Sequence, residues 1–211
     1  PVQEKLQRAK VLEAGSLETD SRIVACPHSS YSESLSSRRV INSKGTDLGY
    51  QQRDATAFAY PLAKSEHMNF TSWKVDWQRD PQKIDAKKLG HEAALEALSK
   101  FDAQIPASGE YPVVLQANVV STLLEHLAEH LTAKSVFEKR SLFEKMLGQK
   151  VASSQLEITD DPFYVIGMAS RPFDAEGTPS QKTVLIENGE LKNFLSNSVY
   201  AKKMQIPNTA H

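Results

Sequence analysis

Residues 125–130 read Glu-His-Leu-Ala-Glu-His and contain His126-x-x-Glu129-His130, the inverted form of the zinc-peptidase helix motif. Side chains at i and i+4 lie one above the other on a helix, so both imidazoles can reach a single Zn²⁺. Glu129 beside them is then the candidate base that takes a proton from metal-bound water. Stepping about 100° per residue sets Val119, Val120, Leu123, Leu124, Leu127 and Leu131 on one stripe. The two histidines fall at its border and Glu129 points toward solvent. The same pattern equally describes an amphipathic helix whose border carries His and Glu through ordinary solvation, and no third ligand is evident.

Other constellations are weaker. His91-Glu92 begins like His-Glu-x-x-His, but the second histidine position is Leu95, part of an apolar stripe. Cys26 and His28 share a strand face without a third group to orient them, so Cys26 reads as a buried strand cysteine. Nucleophile-elbow, phosphate-loop and dinucleotide-loop glycine patterns are all missing from the sequence. Two acidic groups remain, Asp160-Asp161 before Pro162, and Asp174 with Glu176 before Gly177. Either can bind a cation or serve as an acid and base pair. Either is also normal turn chemistry.

The elements that must position these residues follow from periodicity. Leu6, Ala9, Val11, Leu12 and Leu17 predict an amphipathic helix. Residues 21–26 read as a strand, the serine-dense 29–37 as a solvated loop or edge strand, and 40–45 as a turn into a second strand over 50–62. Alternation over 67–77 predicts one further strand, and the spacing over 85–101 predicts a helix. Beyond a boundary near residue 108, Pro112–Leu115 reads as a buried strand, 118–132 as a helix and 141–148 as a short helix ending at its glycine. Leu156–Thr159 and Tyr164–Ile166 read as strands, and Val184–Leu191 as a hairpin turning on Asn188-Gly189. The expected class is α+β. Helices pack on a mixed or antiparallel sheet over 1–108, and a β-rich domain containing the 118–132 helix begins over 109–211.

Composition narrows the function classes. The 211 residues carry 25 Lys and Arg against 26 Asp and Glu, a net charge of −1, with 40% hydrophobic residues. That supports a packed core and excludes wholesale disorder. Interleaved charges give no broad basic face, which argues against nucleic acid or an anionic membrane as partner. No run reaches the roughly 18 to 20 apolar residues of a membrane span. The single cysteine permits no intrachain disulfide, and the cytoplasm is the expected location.

Taken in order, Gly109–Leu115, Leu123-Leu124, Ser141–Gly148 and Ile158–Pro162 resemble the TldD/PmbA family. So do Pro172-Phe173-Asp174-Ala175-Glu176-Gly177-Thr178-Pro179, Leu185–Leu191 and Tyr200-Ala201. In the first half the likeness is carried by Ile41–Gly45 and the region of Gly90. The resemblance implies a cytoplasmic complex of two related subunits, once described as a modulator of DNA gyrase, that processes peptides such as microcin precursors. It implies a chain that is incomplete at both ends relative to the family. The family's catalytic subunit carries His-Glu-x-x-x-His after a Leu-Leu pair, which lays Glu125, His126 and His130 on the three motif positions. Only His130 matches, and the further cysteine ligand falls beyond residue 211.

The chain is therefore expected to be the PmbA/TldE-like partner without a full zinc site or other cofactor of its own. Its expected partners are a TldD-like paralogue or a second copy, and a peptide substrate, with Asp174 and Glu176 as candidate substrate contacts. Two alternatives stand beside it. One is a self-sufficient zinc peptidase, using His126 and His130 as ligands and Glu129 as base. The other is a non-enzymatic regulatory module.

Overall fold

The computed structural model describes residues 1–165 and 167–211. By packing, these fall into two units, Pro1–Arg38 with Tyr50–Gly109, and Arg39–Gly49 with Glu110–His211. Both follow the expected α+β pattern of helices beside antiparallel sheet.

In the first unit, the N-terminal periodic run is helix α1 (Val2–Leu17). Strand β1 (Ile23–Ile41) runs unbroken through the serine-dense stretch and, among the described residues, pairs with β2 (Asp47–Lys64) alone, so the serines line a solvated edge strand. Along β2 the alternate residues Ala55, Ala57, Ala59 and Ala63 are fully buried. Leu12 of α1 packs over Ala55, Ala57 and Ala59, together with Leu89 and Ala93 of helix α2 (Ala86–Ser99). Methyl-sized sheet residues let the helices approach closely. Asp85 starts α2 by accepting the Lys88 N–H at 3.0 Å, and Ser16 Oγ donates to the Gly90 carbonyl at 3.1 Å across the two helices.

The single strand expected over 67–77 is instead two, β3 (Asn69–Thr71) and β4 (Lys74–Gln78). β3 pairs with Leu62–Lys64 and β4 with Ala55–Ala59, in one continuous register of β2. Between the two ladders stands Pro61, which has no N–H to donate, and the pairing lapses there.

The second unit contains α3 (Ala117–His130), α4 (Ala133–Phe137), β5 (Ile158–Asp160), β6 (Thr183–Glu187), β7 (Glu190–Leu191) and α5 (Ser198–Met204). Its sheet has the order β5–β6–β7, antiparallel throughout. Leu131, Val136, Leu185, Ile186, Leu191, Phe194 and Leu195 form the core, each large aliphatic side chain contributing about 1.5–3 kcal/mol on burial. The β6–β7 turn places Asn188 at φ 51° and Gly189 at φ 78°, as a type I′ hairpin requires.

Three expectations fail in this unit. Pro112–Leu115 is not a strand: Val113 is 71% and Val114 98% exposed, since an apolar run becomes a strand only where another strand pairs with it. Residues 141–148 form successive turns rather than a helix, ending at Gly148 with φ +74°, whose N–H donates to the Leu191 carbonyl. Tyr164 and Val165 are likewise not a strand, while Ile166 lies outside the described residues.

Candidate functional site

The apolar stripe of α3 is only partly used. Leu127 packs on the second core and Leu131 just past the helix end is buried, whereas Leu123 and Leu124 are exposed. His130 is the last residue of α3 and is pinned by the segment that follows α4. Its carbonyl accepts Ser141 Oγ at 2.6 Å, and its Nδ1 accepts the Leu142 N–H at 3.4 Å. His126 and Glu125 are exposed one turn earlier. Glu129 is paired with Arg140, Oε1 to Nη1 at 3.4 Å. Arg140 also binds Glu138, and its guanidinium, followed by the Tyr200 hydroxyl, holds the Glu138 carboxyl below its ordinary range. Local spacing could not have revealed Arg140, which reaches Glu129 only because the chain turns back after α4.

The acidic turn is a different kind of structure. Asp174 is buried, and its Oδ1 accepts the N–H groups of Glu176 (2.9 Å) and Thr178 (2.8 Å), an Asx-type closure of the turn. Its Oδ2 is buried without a hydrogen-bond partner among the described residues. Glu176 turns to α5, where its two oxygens accept the Ser198 N–H at 3.0 Å and the Ser198 hydroxyl at 2.8 Å. A carboxylate at the first turn of a helix satisfies a free N–H and meets the positive end of the helix dipole. Gly177, at φ +83°, faces Thr46 and Val40 of the β1–β2 hairpin tip within the same unit, so this turn is a junction of three segments.

In the other acidic pair, Asp161 Oδ1 accepts the Phe163 N–H at 3.0 Å and Oδ2 lies 3.6 Å from Lys182 Nζ. Asp160 ends β5 and lines a cleft with Arg171 and Ser180. The two acidic clusters and the α3 histidines thus have separate surroundings. Ser198, Arg171 and Ser180 carry no motif and were not singled out by sequence.

Comparison with known proteins decides the family. Residues 1–101 match the PmbA/TldA metallopeptidase central domain and residues 108–211 the PmbA/TldA metallopeptidase C-terminal domain. The chain belongs to the PmbA/TldD family. The PmbA homologue of Haemophilus influenzae is 24% identical over 200 residues, covering 94% of this chain and 44% of that protein. The TldD homologue of Buchnera aphidicola is 35% identical over 122 residues, covering 57% and 25%. A Thermotoga maritima protein, described with its crystal structure as a modulator of a DNA gyrase, superposes with a TM-score of 0.95 at 28% identity, over 100% of this chain and 49% of that one. TldE from Thermococcus kodakarensis shares the fold, with a TM-score of 0.79 at 21% identity over 98% and 46%. The chain spans about half the length of the Haemophilus and Thermotoga relatives.

A metallopeptidase family implies a metal, and the donors of this PmbA/TldD chain can be tested against one. A catalytic zinc needs three protein ligands besides its water. On α3, His126 and His130 supply two imidazoles, and Glu129 is tied to Arg140. Among the described residues no three His, Cys, Asp or Glu side chains gather as a metal-holding group. This donor set does not fit a complete zinc site. No helix among the described residues is long and apolar enough to cross a membrane.

Proposed function

We propose that this chain is a PmbA/TldE-type subunit of a cytoplasmic peptide-processing metallopeptidase complex, in which a TldD-type paralogue carries the zinc. The observation that carries this reading is the donor set of α3, where two histidines meet no third ligand among the described residues and the neighbouring carboxylate is engaged by Arg140. In such an assembly the chain contributes walls of the peptide channel and the surface that meets its paralogue, and cleavage takes place at the paralogue's metal. The kinship with both PmbA and TldD proteins supports a paralogous partner.

The test is co-expression with a TldD-type paralogue that has the intact His-Glu-x-x-x-His helix. The expected result is a stable complex whose zinc and peptidase activity are lost when the paralogue's histidines are replaced, and are kept in His130→Ala of this chain. Stoichiometric zinc in this chain alone, lost in His130→Ala, would overturn the reading and favour a self-sufficient peptidase.

A further inference from the structure

We propose that the segment Arg140–Leu142 is a clasp that stands in for a metal at the end of α3, filling with hydrogen-bond donors the acceptors that a cation would need. Three consecutive residues each engage the last turn of that helix. Arg140 Nη1 lies 3.4 Å from Glu129 Oε1, Ser141 Oγ donates to the His130 carbonyl at 2.6 Å, and the Leu142 N–H donates to His130 Nδ1 at 3.4 Å.

The imidazole is the deciding group. A histidine that ligates a metal through one ring nitrogen almost always donates the N–H of the other to a carboxylate, a carbonyl or water. At His130 that polarity is reversed: Nδ1 faces a donor, so its lone pair is taken and the ring proton of the neutral imidazole stands on Nε2. Neither nitrogen then offers zinc a lone pair. Glu129, the carboxylate beside it on the helix, faces a guanidinium that stays charged. An exposed ion pair contributes little alone, and here it completes what the imidazole bond begins.

The backbone is bent to aim these donors. Helix α4 ends on Lys139 at φ 56°, a left-handed conformation that favours glycine. Around it the Lys139 N–H donates to the Val136 carbonyl at 3.0 Å and the Arg140 N–H to the Ser135 carbonyl at 2.8 Å, the paired bonds that close a helix on a left-handed residue. That closure returns the chain to α3. Arg140 is held on its other side by Glu138, which accepts the Tyr200 hydroxyl of α5 at 3.0 Å. A strained residue that turns three donors onto one helix end marks a positioning device. The inference rests on the metal-free subunit reading above and assigns the cause of the missing zinc to residues outside the histidine motif.

The test titrates the whole chain with zinc chloride by calorimetry. The unaltered chain and His130→Ala are expected to respond alike, because the imidazole is already engaged. Leu142 is 72% exposed, so Leu142→Pro removes its N–H with little loss of packing. Combined with Arg140→Ala, it should tighten zinc binding about tenfold or more, the usual size of an effect from the group behind a ligating histidine. Adding His130→Ala should abolish that gain. A folded double variant without the gain, or zinc binding by the unaltered chain that depends on His130, overturns the proposal. If the double variant does not fold, nitrogen NMR of the imidazole in the unaltered chain decides: the ring proton is expected on Nε2, and a proton on Nδ1 overturns the clasp. Recruitment of a zinc-bearing paralogue without the gain removes the clasp only. The gain without recruitment removes the subunit reading only.

Discussion

Gly90 of α2 lies so close to Leu12 of α1 that a Cβ added at residue 90 would stand 2.1 Å from the Leu12 carbonyl oxygen and 2.9 Å from the Ser16 nitrogen. Backbone cannot yield there as a flexible side chain would. Gly90→Ala should therefore force α1 and α2 apart over the alanine face of β2, costing about 1–3 kcal/mol despite alanine's better helix propensity. Urea unfolding checks this: a midpoint equal to or above that of the unaltered chain would refute the close crossing.

Glu176 bridges the acidic turn and α5 through Ser198. Glu176→Ala should lower stability by about 1 kcal/mol, the size of a lost helix-start hydrogen bond. The readout that separates it from a general loss is amide exchange, expected to quicken at Ser198 and the first turn of α5 while β6 stays protected.

Tyr31 lies beneath the Arg8 guanidinium, and its hydroxyl donates to Glu33 Oε1 at 2.9 Å. Burial first, and the Glu33 acceptor second, push its phenol up to about 12 from the ordinary 10. A raised folded-state value means that the fold favours the neutral phenol. Its contribution to stability is complete below pH 10 and is lost as pH rises through about 12. Of the 6 tyrosines, Tyr31 should be among the last to ionise by ultraviolet absorbance, and Glu33→Gln should bring it down. No change in the late-titrating signal on Tyr31→Phe would remove this assignment.

At the β6–β7 turn the two positions differ in tolerance. A Cβ on Gly189, at φ +78°, would meet the Ala152 carbonyl oxygen at 2.4 Å and that of Ser153 at 2.5 Å. Gly189→Ala should cost roughly 1–3 kcal/mol, whereas Asn188→Gly, at a position already left-handed, should stay within about 0.5 kcal/mol. Thermal unfolding of the two variants side by side tests the contrast.

What sequence could show depended on how far apart the interacting residues lie. Asn188-Gly189 dictates its turn by itself, and the stripes of α2 and α3 are periodic, so these were legible. The family resemblance was legible too, because its motifs keep their order along the chain. The division of residues 67–77 into β3 and β4 was not, since its cause, Pro61, sits on the neighbouring strand. Val113 and Val114 read as buried because apolarity gives no sign of whether a pairing strand exists. At the candidate site, His126, Glu129 and His130 were visible as a motif. The Glu129–Arg140 and Glu176–Ser198 pairs join residues 11 and 22 positions apart, beyond any local rule.

Pro61 has one more effect, and it is kinetic. A strand whose ladder lapses over Tyr60 and Pro61 holds its two partners as separate leaves, each able to lift without peeling the other. Those Leu62–Ala63 protons that face β3 should then exchange on the clock of that three-residue strand, whereas those of Ala55–Ala59 that face β4 keep its slower clock and that of the helices above them.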